Sequence, residues 1–192
     1  MKQIYYVDRE DLTLSENELS ARLGIPTGQS LSQSESSHSE IKRTMTPMYA
    51  YRRVRVERNG DIVILDDIKV CSSALARVLG DCSEAIILLC TLGAGVDRLL
   101  TRKAMGSVYE AHLTDSYASA YADALGDYAI DKITAGEAHT ALFGVGYADF
   151  NIEYQRQILG YDGLGISLGV SLTESCLMLP TKSICAVVGV KK

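Results

Sequence analysis

Residues 169–190, GVSLTESCLMLPTKSICAVVGV, constrain the fold of this chain more than any other stretch. Apolar pieces of strand length are separated by a polar Thr-Glu-Ser step and by a Pro-Thr-Lys-Ser turn. The pattern predicts strands over 165–171, 174–179 and 183–190. Pro180 marks the break between the last two, because proline lacks the N–H that a central strand donates. A second apolar run, EAIILLC, is continuous and bounded by turn signals, which predicts a buried strand over 84–90. Residues 48–56 alternate in strand fashion, with Tyr49, Tyr51, Val54 and Val56 as apolar and aromatic members. Asn59-Gly60 tolerates positive φ at both positions, so a hairpin turn into a partner strand over 61–65 follows.

Helical signals fill the remaining chain. Ser15-Glu16-Asn17-Glu18 is a capping-box pattern that opens a short helix with Leu19 and Leu23 on one face, ended by Gly24 before Pro26. Ser72 is placed to cap a helix running to about residue 80. Helices are also predicted over 96–112 and 115–134. The second carries Tyr117, Tyr121, Ala124 and Tyr128 along one face, with small residues that let another element approach closely, and reads as core. Asp149 is positioned to cap a further short helix over 152–159. Residues 27–40, TGQSLSQSESSHSE, hold a single aliphatic side chain and cannot offset their ordering entropy by burial; they read as a mobile loop with His38 solvated. A chain of 192 residues with these elements fits one α+β domain spanning 1–192, a twisted and mostly antiparallel sheet flanked by helices.

The totals exclude several function classes. A net charge of −5 argues against nucleic acid, and Arg52, Arg53, Arg55 and Arg58 lie on a strand pattern whose plain reading is a solvated face. The five cysteines contain no CxxC pair, and four of them (Cys82, Cys90, Cys176, Cys185) sit in apolar surroundings as small hydrophobes. The odd count fits a reducing compartment. No run has signal-peptide or membrane-span character, so the expectation is a cytoplasmic protein without a membrane partner.

Conventional catalytic patterns are missing. Gly93 and Gly95 stand between a strand and a helix, but Arg98 occupies the third position of a dinucleotide fingerprint and no βαβ repeat follows; a tight turn for close packing suffices. Asp66 and Asp67 are adjacent in an extended segment and face opposite ways. There is no GxSxG and no organised Cys/His pair. What remains is Gly144-Val145-Gly146-Tyr147-Ala148-Asp149, a loop with exposed backbone groups and a tyrosine able to stack on a flat ligand. Glu174 falls within an apolar strand pattern, where a carboxylate needs a partner or a groove. On these residues alone, an ordinary loop packed by a half-buried tyrosine is the simpler reading.

Phe143, Gly146, Tyr147 and Asp149, with Gln155 in the helix after them, are similar to the Gly-Tyr loop of the activation domain of cobalamin-dependent methionine synthase, in the form found in stand-alone relatives. Leu172, Thr173, Glu174, Ser175, Met178, Pro180, Lys182 and Ser183 match that family's LTES…P…KS segment. The likeness is dense over 143–190 and thin elsewhere. It implies the same α+β architecture, S-adenosylmethionine as ligand, and ligand contacts from Gly146, Tyr147, Asp149 and Glu174. Asp123 is the candidate acidic group toward the ligand's amino end. It further implies a reactivation module that supports reductive remethylation of the corrinoid of a separate methionine synthase or corrinoid methyltransferase. Cobalamin would be met only through that partner, with an electron donor such as flavodoxin. The family's motif arginine is Leu142 here, which cannot supply charge-assisted donors. Arg156 is the arginine around which the site could be reorganised. The alternative is a non-catalytic interaction module of the same fold that has lost the ligand.

Overall fold

The computed structural model describes residues 3–23 and 34–191. Among them, the strands β1 (Tyr5–Tyr6), β2 (Met48–Asn59), β3 (Ile62–Leu65), β4 (Ile68–Cys71), β5 (Glu84–Thr91), β6 (Phe143–Gly144) and β9 (Ser183–Val190) form one sheet in the order β4-β3-β2-β5-β9-β6, with β1 also on β2. Every pairing is antiparallel. The two-residue strands β7 (Ser171–Leu172) and β8 (Met178–Leu179) pair separately. The helices are α1 (Glu16–Leu23), α2 (Ser34–Thr44), α3 (Ser73–Leu79), α4 (Ala94–Gly106), α5 (Val108–Thr134), α6 (Tyr154–Gly160) and α7 (Leu164–Leu168). The expected α+β architecture, one sheet with helices against it, is the architecture found.

The apolar run of β5 has a simple cause. Ile86, Leu88 and Cys90 join one buried cluster, while Ala85, Ile87 and Leu89 join another. Successive strand residues face opposite ways, so a strand covered on both sides must be apolar throughout. One cluster lies under α5, with α2 and α4 packed against it; the stripe of Tyr117, Tyr121, Leu125 and Ala129 belongs to it. The other lies under α3, α6 and α7. Among the described residues, no helix is long and apolar enough to cross a membrane.

Several expectations need correction. Of the loop expected over 27–40, residues 34–40 belong to α2, and the remainder lies outside the described residues, as do Gly24 and Pro26. A polar helix forms because Ile41 and Met45, both fully buried, anchor its end in the core beyond the Ser-rich part. His38 is half-buried: its ring stacks on Tyr117 at 5.1 Å, and its Nε2 lies 2.7 Å from the Tyr121 hydroxyl. The helices expected over 96–112 and 115–134 meet instead at Ser107, which leaves helical geometry (φ −144°) and accepts from the Glu110 N–H. The expected strand over 165–171 is largely α7, bounded by Gly163 (φ 60°) and Gly169 (φ 66°). Leu164 and Leu168 are buried one helical turn apart, a spacing that a short window does not separate from strand alternation. The strand expected over 174–179 survives only at β8, because the chain turns back with the Thr173 N–H donating to the Leu177 carbonyl.

Candidate functional site

At the β6 edge of the sheet a cleft of about 630 Å³ opens between α1, α5, the loop after β6 and the start of β9. That volume suits a small-molecule ligand. Its shape begins with the loop. The Val145 N–H donates to the Cys185 carbonyl (2.9 Å) and extends the ladder, and the Gly146 N–H then donates to the Phe150 carbonyl (2.7 Å). Gly146 sits at φ 101°, which a side chain rarely adopts. Phe150 is fully buried, stacks on Phe143 and meets the Tyr154 ring at a tilt, so it pins the far end of the loop to the core. With Phe150 inward, Tyr147 is left outward, 70% exposed at the cleft. Its ring lies over Gly144, where an added Cβ would meet the ring carbons at 2.8 Å. Glycine at 144 therefore makes room for the tyrosine.

Charge enters from the helices. Asp123 and, one turn on, Asp127 line the cleft from α5, and Arg22 lines it from α1. Arg22 and Asp123 form an ion pair whose side chains are 40% and 48% exposed. Two carboxylates against one guanidinium leave the described lining net negative, which favours a cationic ligand. Cys185 also lines the cleft, but burial pushes its thiol up to about 12, so it is a neutral thiol and no nucleophile near neutral pH.

The structure brings only part of the expected set together. Asp123 and Tyr147 line the cleft, and Gly146 sets the loop between them. Asp149 does not: its carboxylate accepts from the Ser72 and Ser73 hydroxyls (2.5 and 2.7 Å) and from the Ser73 and Ala74 N–H groups (2.8 and 3.1 Å). It closes the N-terminus of α3 instead of capping the helix after it, which begins at α6 with Asn151 Oδ1 accepting from the Glu153 N–H. Glu174 is not in an apolar strand; it is exposed in the turn after β7 and contributes its backbone carbonyl to the Arg156 guanidinium. Arg156 is thereby placed on the turn and not in the cleft. Leu142 does line the cleft, with its Cδ1 close to Gly126 of α5, part of the apolar packing under that helix.

The Pro-Thr-Lys-Ser turn is a clamp. The Thr181 N–H and hydroxyl donate to the Asp97 carboxylate of α4 (2.9 and 2.7 Å), Lys182 pairs with Asp115 (2.8 Å) and Ser119 (2.9 Å) of α5, and the Ser183 hydroxyl donates to Thr91 of β5 (2.9 Å). These bonds hold β9 against both long helices and so fix one side of the cleft. Arg22 and Asp127 were not singled out from sequence. Asp127 follows Asp123 at helical spacing, a legible signal. Arg22 carries none, because only the packing of α1 on α5 brings it to the cleft.

No protein-family model matches this sequence, and no curated protein matches it. Among solved structures, the chain is similar to the MetH reactivation domain bound to AdoHcy, with a TM-score of 0.74 and 12% sequence identity. The match covers 99% of this chain and 78% of that one. The fold of this chain is that of the reactivation domain.

Proposed function

We propose that this protein is a reactivation-type module whose cleft binds an S-adenosyl ligand and which supports remethylation of the corrinoid of a separate methionine synthase or corrinoid methyltransferase. The observation that carries this reading is the cleft itself: Tyr147, exposed over Gly144, faces an opening lined from α5 by Asp123 and Asp127. Tyr147 would stack on the flat nucleoside, the carboxylates suit an ammonium group and a sulfonium, and Met178 and Phe143 add apolar surface to the lining. S-adenosylmethionine supplies the activated methyl group. The chain's own contribution is to bind and orient, since the described residues of the cleft present no organised acid/base pair. In this reading cobalamin is carried by the partner protein, and an electron donor such as flavodoxin is a second partner.

Calorimetric titration of the full chain with S-adenosylmethionine tests it. Saturable binding is expected, weakened in Tyr147→Ala by about 1–3 kcal/mol, the usual worth of a base stacked on an aromatic ring, with melting temperature unchanged because the ring is exposed. Absence of binding at millimolar ligand removes the reading.

A second reading is favoured by Leu142 and Asp149. The position of the family's arginine is spent on apolar packing, and the aspartate of its loop is spent on a helix cap. A module that kept the fold and lost the ligand would capture a corrinoid protein equally well with and without S-adenosylmethionine, and Tyr147→Ala would leave that capture unchanged.

A further inference from the structure

We infer that Arg22 takes the α-carboxylate of the cleft's ligand, beside the Asp123 carboxylate that the family resemblance assigns to the adjacent α-ammonium. This rests on the reading of the cleft as a ligand site, and it assigns a role to Arg22 that lies outside the Gly-Tyr loop altogether.

Among the described residues lining the cleft, Arg22 is the one basic side chain. It stands on α1 and Asp123 on α5, so the pair joins two separate elements at the lining of the cleft. An ion pair exposed to this degree contributes little to stability and is easily parted. A zwitterion entering between the two charges replaces one pairing by two, each of opposite sign. A simple anion offers a charge of opposite sign to Arg22 alone, and a simple amine to Asp123 alone. The pair therefore selects an α-amino acid group over either charge alone. Arginine suits the carboxylate side because its planar fork can donate two parallel N–H bonds. On the β6 side, Leu142 offers no charge, and Arg156 is held at the Glu174 carbonyl. The guanidinium needed for a carboxylate thus comes from α1.

Two probes that differ only in this end decide the matter: S-adenosylhomocysteine and 5′-methylthioadenosine, which keeps the nucleoside thioether but lacks the amino-acid group. In titrations of the full chain, S-adenosylhomocysteine should bind more tightly than 5′-methylthioadenosine. Arg22→Ala should weaken S-adenosylhomocysteine about tenfold to a hundredfold, the loss expected for a charge-assisted bond, and leave 5′-methylthioadenosine unchanged. Asp123→Asn should act in the same direction, and Arg22→Lys should restore part of the loss. Arg22→Gln, which keeps side-chain length, is run beside Arg22→Ala so that disturbance of α1 is not mistaken for loss of charge. If the arginine variants bind S-adenosylhomocysteine as the native chain does, or weaken both probes equally, the inference is overturned while the cleft remains a ligand site. If the native chain binds neither probe, the inference is overturned, and if it binds no S-adenosylmethionine either, the reading of the cleft falls with it.

Discussion

Asp149 shows how a single residue can match a motif and serve another purpose. Four donors, two hydroxyls and two backbone N–H groups at the start of α3, converge on its carboxylate and hold it well below the usual carboxylate range, the Ser72 and Ser73 hydroxyls contributing most. Because the folded-state value is depressed, the stabilisation it provides is present above its unfolded pKa of about 3.9 and is lost as pH falls through the lower folded value. Comparison of the native chain with Asp149→Asn by urea unfolding should therefore show a less stable variant at neutral pH. The gap should narrow only below about pH 4; a gap that is constant from pH 7 to pH 2 would mean that ionisation is irrelevant to the cap. His38 is the counterpart error. Its polar neighbours in sequence read as solvated, yet the aromatic stripe of α5 supplies stacking partners 79 and 83 residues away that no local window contains. Burial and the nearby positive charge of Lys42 both lower its pKa.

At the scale of elements, sequence signals succeeded where the cause was local. Ser72 caps α3, its hydroxyl accepting from the Leu75 N–H at 3.0 Å; the hairpin from β2 into β3 forms, with its turn at Gly60-Asp61, one residue beyond the expected Asn59-Gly60, because Asn59 still pairs with Ile62; the continuous run at 84–90 is a buried strand. They failed where glycines were the punctuation, as with α7, because a five-residue helix held between two left-handed glycines offers too few turns to show its period. Glycine also matters within β9. An added Cβ at Gly189 would meet Cys82 Sγ at 2.8 Å, Leu79 Cδ2 at 3.0 Å and Thr140 Cγ2 at 3.1 Å, so α3 and the 139–140 segment approach the strand as closely as they do only because no side chain intervenes. Gly189→Val should cost about 1–3 kcal/mol of unfolding free energy through overpacking. A variant as stable as the native chain in denaturant titration would show that the contact relaxes freely.

Over the whole molecule, one sheet serves two cores. Leu88 belongs to the cluster under α5 and Phe150 to the cluster under α3, α6 and α7, yet both clusters draw residues from the same β5 and β9 strands. Leu88→Ala and Phe150→Ala should each cost about 2–5 kcal/mol, and each should shift a single transition seen alike by far-ultraviolet circular dichroism and tyrosine fluorescence. Two separated transitions would mean that the faces unfold as independent units. The cleft depends on both cores: Phe150 anchors its loop from one side, while α5 presents Asp123 from the other. What the amino-acid order determined by itself was the strands β2, β3, β5 and β9, the α+β class, and the loop carrying Gly146 and Tyr147, since periodicity, caps and turn chemistry act between near neighbours. Only the tertiary structure decided which side chains meet. It sent Asp149 to a helix 75 residues away, left Glu174 in solvent, and brought Arg22 to Asp123 across 101 residues. Those pairings are set by how the helices lie on the sheet, and sequence spacing carries no record of that geometry.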